Sequence, residues 1–302
     1  MKFIDAHADT ASLMLDSKKG LFDNGLSVDL SKVPQNHTQI FASFIAPKYH
    51  TDPAGRLESI LKNFKEEVEK SDKIEICLNN EMREKALAEG KTAAFLSLEN
   101  ADLIKNVSDV DKIYDMGIRF VSLTWNEENQ LAGGCDSREN LSVLGRRVIE
   151  AMCEKGIIVD VSHLNEASFW DVLRVNKWPL IASHSNSRSV YNHPRNLTDE
   201  QFNAICSRGG VVGVNFYPKF LNGRNTAYIK NILKHIDHFL SLGGENHIGL
   251  GSDFDGIDSV PEDLKGVWDL NVLVDAMRSH GYSEDLIEKI CYKNFERILR
   301  LL

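Results

Sequence analysis

The stretch Phe3-Ile4-Asp5-Ala6-His7-Ala8-Asp9 joins an apolar, strand-like run to side chains that bind metals and move protons. The same pattern recurs along the chain, most clearly in Ala94–Glu99, Ile157–His163, Leu180–His184 and His247–Asp253. Polar residues of this kind rarely recur by accident at the C-terminal ends of successive apolar runs. A parallel α/β barrel gathers those strand ends around one pocket. The repeated pattern therefore predicts such a barrel, with its functional site at the C-terminal ends of the strands.

Strand-like runs alternate with amphipathic segments throughout the chain. We place eight strands, near residues 3–7, 38–45, 92–98, 119–124, 157–161, 180–183, 211–216 and 247–251, and helices over stretches such as 56–69, 144–155, 199–207 and 228–242. Ser142 and Thr198 have the sequence context of helix N-caps, and Gly156 that of a helix stop. The last helices, from Leu270 and from Ser283, should close the barrel. Eight strands with intervening helices in 302 residues indicate a (β/α)8 TIM-type barrel.

No internal repeat or Pro-rich linker divides the chain, so residues 1–302 are predicted to form a single domain. A doubly wound open sheet would also alternate strands and helices, but no G-x-G-x-x-G or P-loop follows an early strand. The long polar loop over residues 126–141 follows the fourth strand and should shape or cover the site. His235 and His238 lie three apart in a predicted helix, where they should face solvent or a neighbouring helix.

The net charge is −9, and the basic residues form no block outside the helix-like segments. Binding to nucleic acid or to an anionic membrane would need a basic surface, so neither partner is expected. No run is apolar and long enough to cross a bilayer, and no signal peptide is visible. The five cysteines are scattered and odd in number, which predicts reduced thiols and a soluble, cytoplasmic protein. A homodimer is left open.

Five strand-end side chains form the candidate metal-ligand set. His7 and Asp9 lie two apart and therefore face the same side of their strand. Glu99 ends a buried run, where a carboxylate needs an ion-pair partner or a cation, and His163 and His184 repeat the pattern on consecutive strands. Three imidazoles and two carboxylates suit zinc or a similar divalent ion. Two metals, roughly 3.5–4 Å apart and sharing a hydroxide, use five ligands better than one, and a glutamate is the natural bridge.

Three further residues are candidates for proton transfer and substrate binding. Asp253 ends the last strand, where a carboxylate can pass a proton from water to a leaving group, although a turn aspartate is the alternative. The neighbouring Asp255, which precedes a glycine, fits the turn description better. Arg195 could bind an anionic substrate group or form a surface salt bridge, and Tyr217 could add a hydroxyl to the same anion.

These fragments, in this order and spacing, resemble the renal (membrane) dipeptidase family of zinc peptidases, within the amidohydrolase-type barrels. The resemblance is carried by Asp5–Asp9, Ser97–Glu99, Asp160–His163, Ser183–Ser185, Pro194–Asn196, Val214–Tyr217 and Gly251–Gly256. It implies that His7, Asp9 and Glu99 hold one zinc ion, while Glu99, His163 and His184 hold the second. Two Zn²⁺ ions per chain are therefore expected, with Mn²⁺ or Co²⁺ as substitutes.

The resemblance also implies a dipeptidase activity and roles for the other site residues. Asp253 would act as proton shuttle, with Arg195 and Tyr217 near the C-terminal carboxylate of a dipeptide substrate. Dipeptides with a C-terminal D-residue are implied as substrates, cleaved by a hydroxide that bridges the metals. Characterised animal members carry a histidine after Leu-Thr of strand four, whereas this chain has Trp125 followed by Asn126. The Asn126 amide is therefore the candidate donor to the oxyanion.

Two other functions remain open at this stage. One keeps the site and changes the bond, giving a metal-dependent amidase or lactonase for a small carboxylated substrate. The other is a metal-binding barrel that has lost most activity through the strand-four change. Other amidohydrolase-type barrels usually open with H-x-H and often bridge two metals with a carbamylated lysine on strand four. This chain opens with H-x-D and has no lysine on its fourth strand, so the resemblance disfavours the deaminase and dihydroorotase-like branches.

Overall fold

A computed structural model describes residues 1–302, and all nine of its strands pair in parallel in one sheet. The strands are β1 (Phe3–Ala8), β2 (His37–Phe44), β3 (Ile74–Ile76), β4 (Thr92–Glu99), β5 (Ile118–Ser122), β6 (Ile158–Asp160), β7 (Ile181–Ala182), β8 (Val211–Val214) and β9 (Ile248–Leu250). Eight of them close a barrel, because β1 pairs with both β2 and β9 while β2 also pairs with β4. The predicted (β/α)8 TIM-type barrel is confirmed, and all eight predicted strands are present.

Strand β3 is the one strand that was not predicted. It lies outside the closed ring and pairs only with the first residues of β4. Strand β5 then takes over on the same side of β4, from Leu96 to Glu99. Three residues with a central glutamate do not form an apolar run, so β3 left no signal in the sequence.

Twelve α-helices surround the barrel. They are α1 (Thr10–Ser17), α2 (Pro53–Glu69), α3 (Asn80–Ala88), α4 (Asp109–Asp115), α5 (Val143–Lys155), α6 (Glu166–Val175), α7 (Asp199–Ser207), α8 (Pro218–Leu221), α9 (Ile229–Ser241), α10 (Leu270–His280), α11 (Glu284–Glu288) and α12 (Asn294–Leu299). A π-helical turn, Lys289–Lys293, joins the last two. No helix is both long and apolar enough to span a membrane.

The predicted helix ends are confirmed in their hydrogen bonds. The Ser142 hydroxyl accepts from the Gly145 N–H at 2.9 Å, which caps α5, and Gly156 ends that helix with a left-handed φ of 81°. Thr198 and Gln201 bond to each other's backbone N–H groups in a capping box at the start of α7. These caps fix where each helix leaves the barrel and where the next strand begins.

The barrel strands change from apolar to polar side chains toward their C-terminal ends. On β4, Ala93 and Phe95 are buried and share a face with Glu99, because alternate residues of a strand face alike. Phe95 packs in a buried apolar cluster with Phe120 of β5 and Phe295 of α12. The apolar residues thus fill the lower barrel and leave its C-terminal end to the polar residues that form the site.

His235 was expected to face solvent or a neighbouring helix, and the structure shows the second, because its Nε2 contacts the last residue of α8. His235 is fully buried in α9, where its Nδ1 accepts from the Ser187 N–H at 3.1 Å and its Nε2 bonds to the Leu221 carbonyl at 3.0 Å. It ties α9 to the end of α8 and to the loop that carries Ser187. His238, one turn later, is half-buried and contacts the Asp199 carboxylate at 2.8 Å.

Candidate metal centre

The five predicted metal ligands converge at the C-terminal end of the barrel. His7 lies within β1 and Asp9 directly follows it, Glu99 is the last residue of β4, and His163 and His184 follow β6 and β7. All five are buried, with at most 6% of each residue exposed. Five side chains far apart in sequence therefore meet in one polar cluster, as the strand-end pattern predicted.

One half of the cluster is centred on the His7 imidazole. Its Nε2 lies 3.3 Å from Asp9 Oδ2 and 3.3 Å from Glu99 Oε2. Neither His7 Nε2 nor Asp9 Oδ1 has a hydrogen-bond partner, although both atoms are buried. Buried polar atoms are normally satisfied, so orphaned ligand atoms in a cluster of this kind fit a bound cation.

The other half brings two imidazoles to the second oxygen of Glu99. His163 Nε2 lies 2.9 Å from Glu99 Oε1 and 2.8 Å from His184 Nε2. Glu99 therefore offers Oε2 to one group and Oε1 to the other. This is the geometry of a carboxylate that could bridge two ions.

Hydrogen bonds on the far side of the two imidazoles fix where their protons lie. His163 Nδ1 is 2.8 Å from Asn126 Oδ1, an acceptor, so Nδ1 carries the proton. His184 Nδ1 is 2.7 Å from Ser183 Oγ, whose own proton goes to the Asp160 carboxylate. Both Nε2 atoms then present lone pairs to each other and to Glu99. Three lone pairs this close repel unless a cation lies between them, so the residues fit a divalent metal.

The electrostatics agree with neutral imidazoles in the second group. Burial, reinforced by the nearby Arg195 cation, lowers the pKa of His163 to about 4. Burial and the neighbouring His7 lower the pKa of His184 well below its ordinary value. Burial would also lower the pKa of His7, but the Glu99 and Asp9 carboxylates raise it well above that value.

The carboxylates of the cluster differ in how readily they ionise. Burial opposes ionisation of Glu99, yet the charge of the His7 imidazole, whose own pKa is raised, holds the pKa of Glu99 well below the ordinary range. Burial and the Glu99 charge raise the pKa of Asp9 to about 7. Burial likewise raises the pKa of Asp253 to about 6, although Asn215 Nδ2 donates to Asp253 Oδ2 at 2.8 Å. Asp253 is thus a buried carboxyl able to gain and lose a proton near neutral pH.

Two site residues have backbone conformations that non-glycine residues rarely adopt. His163 has a φ of 73° and Asp253 a φ of 62°, both in the left-handed region. Asp253 is held there partly by a bond from its N–H to the His7 carbonyl at 3.1 Å. Strained residues that the surrounding structure enforces cluster at functional sites.

Arg195 lies on the wall of the cavity above the cluster, a cavity of about 620 Å³. The residue is 5% exposed, and no carboxylate lies within 4 Å of its guanidinium. One nitrogen, Nη2, donates to the His184 carbonyl at 3.2 Å, while Nε has no partner. The Phe220 ring lies 5.4 Å from the guanidinium carbon. A buried cation without a counter-ion, beside a cavity, is suited to bind an anionic ligand.

The remaining predicted residues also line the cavity. Tyr217 lies near Lys219, whose ammonium is 5.4 Å from the centre of the tyrosine ring. Asn126 is half-buried, and its Oδ1 is the acceptor for His163. Its amide nitrogen makes no hydrogen bond to the protein, and Asn126 itself lines the cavity. Trp125 packs on Phe44, with ring centres 5.4 Å apart.

Sequence reasoning did not identify the residues whose hydrogen bonds position the site side chains. Asn215 positions Asp253, and Ser183 with Asp160 positions His184. Asp160 ends β6 and so carried the strand-end signal, whereas the neutral side chains carried none. Asp255 accepts from the backbone N–H groups of residues 27 and 28, so it fastens a loop, in keeping with its turn-like sequence.

Comparisons with family models, related sequences and solved structures point to the same protein family. The model of the membrane dipeptidase family, peptidase family M19, matches residues 1–302. A Schizosaccharomyces pombe protein described as an uncharacterized dipeptidase is 32% identical over 299 residues, covering 88% of this chain and 72% of the yeast protein. An uncharacterized Klebsiella pneumoniae protein from the pqqA 5' region is 37% identical over 204 residues, covering 64% of this chain and 75% of that protein.

Two solved structures share the fold over nearly their whole length. The dipeptidase AC, an M19 metallopeptidase, superposes with a TM-score of 0.91 and 26% identity, covering 99% of this chain and 98% of its own. A Rhodobacter sphaeroides metallopeptidase, with the same TM-score and coverage and 25% identity, was crystallised with a phosphinate mimic of the dipeptide L-Ala-D-Ala.

Proposed function

Because this chain belongs to the membrane dipeptidase family and is a metal-dependent dipeptidase, we propose that it hydrolyses dipeptides with a free C-terminal carboxylate by means of two zinc ions. The observation that carries the proposal is the buried, unpaired Arg195 beside a cluster of five metal-ligand side chains in one cavity. In a dipeptide the peptide bond lies one residue from the terminal carboxylate. A dipeptide bound in this cavity could therefore place its carboxylate at Arg195 and its peptide bond at the metal-ligand cluster.

His7, Asp9 and Glu99 would hold one ion, and Glu99, His163 and His184 the other. The split follows the two oxygens of Glu99, each of which faces one imidazole group. Zinc suits the mixed nitrogen and oxygen ligands, and Mn²⁺ or Co²⁺ could substitute. When bound, a pair of divalent ions lowers the pKa of water and polarises a carbonyl oxygen.

The protein's own side chains would bind the substrate and move the proton. Arg195 would hold the terminal carboxylate through its planar fork, with Tyr217 nearby on the same wall. Asp253, with its pKa raised to about 6 by burial, would accept a proton from water and give it to the departing amine. The free amide nitrogen of Asn126 could donate to the oxyanion.

We extend the proposal to dipeptides with a C-terminal D-residue. The support is the Rhodobacter sphaeroides metallopeptidase, which was crystallised with a phosphinate mimic of L-Ala-D-Ala. We also propose a cytoplasmic protein, since none of the five cysteines forms a disulfide and such thiols suit a reducing compartment.

A substrate panel tests the proposal. Zinc-loaded protein is assayed on L-Ala-D-Ala, L-Ala-L-Ala, the C-terminal amide of each, N-acetyl-alanine and a small lactone. We expect cleavage of both dipeptides and weak cleavage of the amides. Hydrolysis of the N-acyl amino acid or the lactone, with both dipeptides untouched, would overturn the dipeptide assignment and favour an amidase or lactonase.

A further inference from the structure

Asn126 touches a metal-ligand imidazole rather than only the cavity. We propose that Asn126 is a positioning residue, which holds His163 in the tautomer and orientation that metal binding requires. The inference rests on the proposed dinuclear site and assigns the side chain a second role besides oxyanion donation. Its effect would be seen first in metal affinity and only then in rate.

The hydrogen bond leaves a single arrangement of the imidazole proton. Asn126 Oδ1 can only accept, and it lies 2.8 Å from His163 Nδ1. The proton is therefore on Nδ1, and the Nε2 lone pair points at Glu99 Oε1, 2.9 Å away. Without this acceptor, the proton could move to Nε2 and remove the lone pair that a metal needs. Ligand histidines commonly have such a partner on their other nitrogen.

The loop that carries Asn126 is fastened to the backbone around His163. Gly134 bridges to Leu164, the residue after His163, and the Gly133 carbonyl accepts from the Asn165 N–H at 3.1 Å. The Asn126 carbonyl in turn accepts from the Asp136 N–H at 2.7 Å. Gly134 approaches so closely that a Cβ there would lie 2.4 Å from the Asn126 carbonyl carbon. The asparagine is thus fixed relative to the imidazole that it contacts.

The second imidazole of the same group has an equivalent support. His184 Nδ1 contacts Ser183 Oγ at 2.7 Å, and that hydroxyl donates to Asp160. His7 lacks a support of this quality, since its nearest Nδ1 partner is Ser183 Oγ at 3.5 Å. Loss of the Asn126 acceptor should therefore weaken the binding of the ion held by His163 and His184. The binding of the ion held by His7 and Asp9 should stay unchanged.

Two substitutions separate positioning from oxyanion donation. Asn126→Leu keeps the size of the side chain and removes both the acceptor and the donor. Asn126→Asp keeps the acceptor for Nδ1–H and removes the donor. Cys135→Ala is the matched control, because Cys135 Sγ also donates to Asn126 Oδ1, at 3.3 Å, from the same loop.

The measurement is zinc binding to the metal-free protein in competition with a chromophoric chelator, with the Co²⁺ absorption spectrum as a second readout. We expect Asn126→Leu to lower the zinc affinity of one of the two sites by about 10–100-fold. This is the usual effect of losing the hydrogen-bond partner of a ligand histidine. Asn126→Asp and Cys135→Ala should bind both ions as tightly as wild type. The hydrolysis rate of Asn126→Asp should stay below that of wild type, because the variant lacks the oxyanion donor.

Two results would overturn the inference. One is an Asn126→Leu variant that binds both zinc ions as tightly as wild type. The other is a loss of zinc affinity in Asn126→Asp as large as that in Asn126→Leu. Should the leucine variant not fold, the aspartate variant still decides, because a weakened site there contradicts positioning. Wild-type protein that binds fewer than two ions would instead refute the proposed dinuclear site.

Discussion

Replacing Arg195 with methionine should separate substrate binding from metal binding and from stability. The guanidinium is buried, has one carbonyl partner and has no carboxylate within 4 Å. Removing one partner of a buried, hydrogen-bonded charge pair costs about 2–5 kcal/mol, which corresponds to roughly 30- to 4,000-fold in kcat/KM. The free energy of unfolding should stay the same or rise, because the variant no longer buries an unpaired cation.

The assay compares wild type and Arg195→Met on a dipeptide and on its C-terminal amide, with zinc content measured on the same samples. Wild type should strongly prefer the free carboxylate. The variant should lose that preference and cleave the two substrates at similar, low rates. Arg195→Lys serves as the control, since it keeps the charge, loses the planar fork and should fall between the two.

Equal losses on the dipeptide and the amide would refute the reasoning, because Arg195 would then act on something other than the terminal carboxylate. A large drop in the free energy of unfolding would also contradict it. That result would mean that the guanidinium stabilises the fold, which a buried cation without a counter-ion is not expected to do.

The other predictions concern proton transfer and acid stability. Asp253→Asn should lower kcat by about 10²–10⁴-fold while both zinc ions stay bound, and a loss of zinc would make Asp253 a metal ligand instead. His235, whose pKa burial lowers to about 4, stays neutral in the fold but gains a proton at its ordinary pKa when unfolded. Its stabilisation is therefore complete above pH 6.5 and is lost as the pH falls toward 4. In urea unfolding of metal-free protein, the free energy of unfolding should fall by about 2–3 kcal/mol more in wild type than in His235→Gln between pH 7.5 and 4.5. Equal decreases in the two proteins would contradict this prediction.

The barrel was predictable because each strand carries its own local signal. The run over residues 180–183 was assigned although its observed strand, Ile181–Ala182, is only two residues long. Its apolar residues and the histidine that follows were enough. Strand β3 had neither feature. The single-domain organisation over residues 1–302 stays a prediction.

The candidate site was predictable to the extent that its residues end strands. His7, Glu99 and His184 were found because the C-terminal ends of parallel strands meet. Hydrogen bonds between loops obey no such rule, so the contact of Asn126 with His163 could not be derived from spacing. Neutral supporting residues such as Asn215 have no charge that would single them out.

For His235 the sequence held a signal that could have decided between solvent and a neighbouring helix. Ile232, Ile236 and Phe239 are buried on α9, and His235 lies three residues after the first and four before the last. Helical periodicity therefore places it on the apolar face. A buried histidine with two backbone hydrogen-bond partners is stable there, and the two alternatives stayed open because His235 was grouped with His238 by spacing alone.

The most direct test of the proposed dinuclear site is a zinc titration of metal-free protein, with L-Ala-D-Ala hydrolysis measured at each point. The account predicts two tightly bound ions per chain, activity that reaches its plateau at the second equivalent, and loss of that activity with a chelator. A plateau at one equivalent would contradict the bridging role of Glu99. Protein that binds no zinc, manganese or cobalt would contradict the account as a whole.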